Sequence, residues 1–206
     1  MNRARLATLS TLLLSTAVLA DGSSSTLRSP GEFASMGDRT ARSKAYFVEA
    51  AKVLQHPRCL NCHPATRQPT QGDDLHPHTP LVQAGPENRG TKELPCSSCH
   101  GAENAATLGG RVKSIPGNEH WSLAPASMAW QGLSTAEICA QLQDPQRNGN
   151  RTLAQIEKHL AEDHLVGWAW HPGEGRAPAP GTQAVFGALI HAWIETGAHC
   201  PAAPAN

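Results

Sequence analysis

Two stretches of the 206-residue chain carry reactive side chains at a fixed interval: Cys59-Leu60-Asn61-Cys62-His63 and Cys96-Ser97-Ser98-Cys99-His100. On a helical turn, residues i, i+3 and i+4 share one face, so each stretch presents two thiols and an imidazole together. That set suits covalent attachment of a c-type haem, the thiols bonding the two vinyl groups and the histidine serving as the proximal iron ligand. One such stretch can arise by chance. Two in one short chain predict two haem c groups, held by Cys59, Cys62, Cys96 and Cys99, with His63 and His100 on the irons.

Other uses of the same cysteines fit less well. A four-cysteine zinc site is the main alternative, but the gap between Cys62 and Cys96 exceeds the roughly 15 to 20 residues of common zinc ribbons and leaves both histidines idle. A thioredoxin-like redox pair needs a βαβ setting, and no strand–helix alternation surrounds either stretch.

The address agrees with this chemistry. Arg3 and Arg5 precede an apolar run from Leu6 to Ala20 that is too short to span a bilayer and ends Val18-Leu19-Ala20, so residues 1–20 read as a signal peptide. Export to the periplasm is what c-type attachment requires, and the same compartment permits disulfides. With 17 basic and 17 acidic side chains overall, loss of Arg3 and Arg5 leaves a slightly acidic mature chain. Neither nucleic acid nor an anionic membrane is indicated, and no second apolar segment predicts a span after cleavage. Five Trp, three Phe and one Tyr are few for a core of this size, and two porphyrins would add flat apolar surface.

The elements that must position these groups are mainly helical. Residues 21–38 form a Ser- and Gly-rich flexible leader, and residues 39–206 form one domain. Tyr46, Phe47, Ala50, Val53 and Leu54 predict a helix over 40–55, stopped by His56-Pro57. Between His63 and Trp121 neither helical nor strand period is sustained, and prolines alternate with glycines: a long loop region for haem contacts to organise. The part from 134 to 200 is helical. Ser134-Thr135-Ala136-Glu137 and Thr152-Leu153-Ala154-Gln155 are capping boxes, opening helices that end at Asp144-Pro145 and near His164. A last helix runs from Thr182 to Thr196. The expected fold class is mainly α, cytochrome c-like, with long haem-organised loops, two covalent haems and no substantial sheet.

The distal iron positions are less determined. His78 and His120 are the favoured ligands, since each lies in the irregular region around the attachment stretches; His76 and Met128 are the alternatives, Met128 over the second haem, followed by His159 and His164. His56, His171, His191 and His199 read as surface or capping histidines. Trp168, Trp170 and Trp193 are candidates to pack on a porphyrin, and Arg176 to hold a propionate, with ordinary core and surface roles equally open. Cys139 and Cys200 are left over. A disulfide between them would close a loop of about 60 residues and stabilise by roughly 4 kcal/mol.

Four stretches, His56-Pro57-Arg58-Cys59 to His63, Cys96 to His100, His120-Trp121 to Trp130, and Gly167-Trp168 to Gly181, resemble exported bacterial di-haem cytochromes. These include the cytochrome subunit associated with isoquinoline 1-oxidoreductase-type molybdenum hydroxylases. The resemblance implies a periplasmic electron carrier without catalysis of its own, which takes electrons from a molybdenum hydroxylase-type dehydrogenase and passes them toward the respiratory chain. Two readings from other classes stay open, a small haem enzyme of peroxidase or nitrite-reducing type and a haem sensor, each requiring one iron with an open position.

Overall fold

Helices begin in this chain where a short polar side chain can take up the unpaired N–H groups of a first turn. The computed structural model of the protein describes residues 26–109 and 112–203. The expected signal peptide and the first part of the leader lie outside the described residues.

Asp38 caps α1 (Arg39–Leu54), its carboxylate accepting from the N–H groups of Thr40 and Ala41. A single turn, α2 (Pro57–Leu60), follows with Pro57 at its first position. The loop region then contains two antiparallel ribbons. β1 (Thr70–Gln71) pairs with β2 (His76–Pro77), and β3 (Ala105–Ala106) pairs with β4 (Ser114–Ile115). Both predicted capping boxes are formed, Ser134 with Glu137 at the start of α3 (Thr135–Gln143) and Thr152 with Gln155 at the start of α4 (Leu153–Glu162). The helix expected to end near His164 stops at Glu162, with Asp163 as its C-cap. This residue is extended and uses its carboxylate to cap a further turn, α5 (His164–Gly167). The last helix, α6 (Gln183–Glu195), is capped by Thr182.

The core lies where α6 packs on α1 and α4, with α3 closing its side. Phe47 and Trp193 meet at 4.9 Å between ring centroids, and Phe186, Leu189 and Ile190 are fully enclosed beside them. Burying each such side chain contributes about 1.5–3 kcal/mol. The α4–α6 crossing is close because position 187 is glycine: a Cβ there would lie 2.6 Å from the Cβ of Ala161. Polar bonds fasten α1 to the far end of α6. Ser43 Oγ donates to the Trp193 carbonyl at 3.2 Å and accepts from the His199 N–H at 3.0 Å, while Arg39 donates to the carbonyls of Glu195 and Thr196. Cys139 of α3 is joined to Cys200 by a disulfide.

The expectation of a cytochrome c-like fold organised by two haems is corrected. The described chain is mostly helical with small two-stranded sheets, and among the described residues no group of three or more His, Cys, Asp or Glu is placed to hold a metal ion. The physical reason is visible in the core, which α1, α3, α4 and α6 close with their own side chains. The ribbons escape sequence reading because a two-residue strand is too short to show an alternating period. Among the described residues no helix is long and apolar enough to cross a membrane.

Candidate functional site

The first Cys-x-x-Cys-His stretch follows α1 directly. His56 caps α2, its Nδ1 accepting from the Arg58 N–H at 3.3 Å. The turn this starts brings the His63 N–H to the Cys59 carbonyl at 3.0 Å, so the two thiols and the imidazole occupy one short stretch of helical backbone. The segment 124–131 wraps around it: Ala124 N–H donates to Cys62 O, and Trp130 and Gln131 N–H both donate to His63 O. The His63 ring lies flat on Trp130, with centroids 3.5 Å apart and planes 6° from parallel. Its Nδ1 is 2.6 Å from the Met128 carbonyl. A carbonyl only accepts, so Nδ1 carries the proton and Nε2 keeps its lone pair. Burial pushes the imidazole down to about 4 against the opposing pull of that carbonyl. His63 is therefore neutral at ordinary pH, the form in which imidazole binds a metal.

The second stretch repeats the arrangement with other residues. Cys96–Ser98 is a tight turn, and His100 N–H donates to Cys96 O at 2.9 Å. His100 Nδ1 meets the Pro116 carbonyl at 2.7 Å. Its ring stacks on Trp121 at 4.7 Å and 15°, and Trp121 meets Trp168 edge-on at 5.0 Å. Trp168 is fixed in turn, its Nε1 donating to Asn104 Oδ1 at 2.8 Å. The Pro116 carbonyl can lie where it does because Gly117 follows: a Cβ there would sit 2.0 Å from the Glu103 carbonyl oxygen. Burial lowers the His100 pKa, opposed by its bond to Pro116. Each stretch thus has a histidine with Nδ1–H given to a backbone carbonyl, a tryptophan stacked on the ring, and Nε2 uncommitted. Fixing one imidazole nitrogen in this way sets the tautomer and the aim of the other.

A cavity of about 340 Å³ opens against the first stretch, lined by Arg58, Cys59, Cys62, His63, Trp130 and His159 among others. Its size falls in the ordinary range for small-molecule and cofactor sites. Three buried donors in its wall have no acceptor: Nε and Nη1 of Arg58, and Nε1 of Trp130. The Arg58 side chain is completely enclosed, and only its Nη2 is engaged, by the Gly72 carbonyl at 2.9 Å and by Asp73. A flat, largely apolar group carrying acidic substituents, attached at the thiols and ligated at Nε2, matches this wall; the residues present fit a haem. They do not fit a thiol–disulfide redox pair. Burial pushes the Cys59 thiol up to about 12 and that of Cys62 up to about 11, far from the thiolate such chemistry needs.

The remaining residues singled out in the sequence are spread over both sites and the surface. His78 is brought to the second stretch, its ring 6.0 Å from that of His100 and inclined by 58°, with Nδ1 donating to Pro80 O at 2.8 Å. His120 is exposed. His76 is exposed and has both nitrogens engaged, by Asp74 and Gln71. Met128 is buried at the first stretch, not the second, where its carbonyl serves His63. His164 is exposed on α5, whereas His159 lines the cavity. Trp193 belongs to the helical core, Trp170 donates to Pro180 O, and Trp168 supports Trp121. Arg176 spends its guanidinium on the hydroxyl and carbonyl of Ser114 and on Pro172 O.

Sequence reasoning missed Trp121 and Trp130 as stacking partners, Arg58 as an enclosed cation, and the two carbonyl acceptors. A Trp downstream of each attachment stretch was the one available signal for the pairing. No family model, no curated protein and no solved structure matches the chain.

Proposed function

We propose that the protein carries two covalently attached haems, on Cys59, Cys62 and His63 and on Cys96, Cys99 and His100, and that it is an electron carrier. The observation that supports this most is the duplication. Two stretches with the attachment spacing are each equipped, by unrelated parts of the chain, with the same carbonyl-anchored, tryptophan-stacked histidine. Covalent attachment asks each site for two thiols and one imidazole, not for a cage of three or more protein ligands, so it needs no metal cluster in the helical core.

When bound, such groups supply one-electron redox chemistry. The protein's part is to hold Nε2 of each histidine at a fixed aim, to stiffen both rings by stacking, and to keep water from the cavity wall at the first stretch. At the second stretch His78 stands beside His100 with its own Nε2 uncommitted, which favours an iron closed on both sides over a reactive open one. Closed sites change little on reduction and favour electron exchange over small-molecule chemistry.

Export by residues 1–20 would place the chain where haem attachment and the Cys139–Cys200 disulfide both form. The resemblance of the sequence to di-haem cytochromes supports a molybdenum hydroxylase-type dehydrogenase as the electron source, with the respiratory chain as sink.

Haem content tests the proposal directly. The mature chain, made with a c-type maturation system, is expected to keep two haems through acid–acetone extraction and to show both in its denatured mass. Cys96→Ala with Cys99→Ala is expected to leave one. A mass with one haem or none in the unaltered chain would sink the reading.

A further inference from the structure

Within the cavity at the first attachment stretch, the wall holds a second histidine that the function proposed above does not use. We infer that His159, oriented by Asp163, is the second axial ligand facing His63, so that the first iron is held by two imidazoles. This rests on the haem proposed at Cys59 and Cys62.

Four observations carry the inference. His63 and His159 are the two histidines among the residues lining the cavity. His159 Nδ1 lies 3.2 Å from Asp163 Oδ2, which leaves Nε2 as the nitrogen free to ligate. The Asp163 carboxylate is itself fixed, since its Oδ1 accepts from the N–H groups of Leu165 and Val166 at 2.8 and 3.3 Å. A carboxylate behind an imidazole both aims the ring and raises its strength as a ligand. Finally, α4 is held tightly by the close approach of Ala161 to Gly187 on α6, and Leu160, next to His159, turns into the same cavity. The break at Asp163 thereby has a use: it places one carboxylate where it can cap α5 and anchor His159 together.

The competing side chains are otherwise disposed. Met128 also lines the cavity, but its carbonyl is taken by His63 Nδ1 and its sulfur lies near Gly149. His164 and His120 are exposed. His191 also gives Nδ1 to a carboxylate, Glu157 at 2.8 Å, but lies on the outer face of α6 and supplies a matched control.

The test compares visible and electron paramagnetic resonance spectra, carbon monoxide uptake and redox titrations of the full haem-loaded chain. In His159→Ala, half of the low-spin signal is expected to become high-spin, and uptake of carbon monoxide is expected to rise from none to one per chain. His159→Met is expected to restore the low-spin state with one of the two potentials raised, as thioether ligation does. Asp163→Asn, which can still cap α5, is expected to stay low-spin and to shift one potential only. Met128→Leu and His191→Ala are expected to leave the spectra unchanged. Two bound haems with an unaltered low-spin spectrum in His159→Ala would overturn this assignment alone, as would conversion to high spin in Met128→Leu. A chain that takes up no haem would overturn the parent reading and this one with it.

Discussion

His63, His78, His100 and His159 each give one ring nitrogen to an oxygen of the protein. At the scale of single residues that is the theme of the molecule: an imidazole with one nitrogen anchored has its other aimed. The two Cys-x-x-Cys-His stretches were legible in the sequence because the motif is a matter of spacing within five residues. Their anchors were not, since a backbone carbonyl has no sequence signature, and Met128 and Pro116 earn their roles through position alone. That His159 lines the same cavity as His63 was not legible, because only folding brings residues so far apart in sequence together. Arg58 presents the sharpest single-residue test. Each enclosed N–H without an acceptor costs about 1–3 kcal/mol, so a bound group that brings an acceptor would reverse the sign of this residue's contribution. Arg58→Met is expected to destabilise the haem-loaded protein by about 1.5–3 kcal/mol in guanidinium unfolding, through loss of the enclosed guanidinium's charge-assisted bonds to the half-exposed Asp73 and the Gly72 carbonyl. A neutral or stabilising result would mean that these groups stay without an acceptor when haem is present.

Among the elements, start signals were the most readable feature. The capping boxes at Ser134 and Thr152 depend on two side chains three residues apart, so they appear intact in the fold. The break between α4 and α5 did not show, because Asp163 is compatible with either a helix end or a cap until its bonds are seen. The Ser134 box predicts a pH effect of definite sign. Hydrogen bonds from the Ser134 N–H and then from its hydroxyl hold the Glu137 carboxyl below its ordinary range. The unfolded chain therefore binds this proton more readily than the folded one. The contribution is fully present above the unfolded value, near about 4.3, and fades as pH falls through the lower folded one. Glu137→Gln is expected to flatten the pH dependence of unfolding free energy in that acid window and to leave its slope at pH 6–8 unchanged. Urea titrations at a series of pH values would check it. An unchanged acid slope would show that the box does not survive in solution.

For the molecule as a whole, a mainly helical chain with a long irregular insert was legible, and a haem-organised architecture was the misjudgement. Few aromatic residues suggested a core in need of porphyrin. Three of them, Phe47, Phe186 and Trp193, meet where α1, α4 and α6 converge, and a small number suffices when it is concentrated. The Cys139–Cys200 bond fastens this core by tying α3 to the segment after α6 across a sequence separation of 61. Loop-closure entropy puts its contribution at about 4 kcal/mol. Cys139→Ser with Cys200→Ser is expected to lower the midpoint of thermal unfolding by roughly 8–16 °C if the whole contribution is realised, taking about 2–4 °C per kcal/mol for a chain of this size. A shift of a degree or two would mean that the helices alone set the stability. Differential scanning calorimetry reads the difference.

The fastening of α1 to α6 also imposes a timetable. Ser43 and Arg39 find their partners at 193–199, so these ties on α1 form only once those residues are in place. Both Cys-x-x-Cys-His stretches precede those residues in the chain. In the folded chain without haem, Cys59 and Cys62 are half-buried, with burial holding their thiols protonated, a poor state in which to meet a modifying enzyme. Attachment after export, as proposed above, is therefore placed before α1 and α6 are tied together, while the thiols of the first stretch are still open.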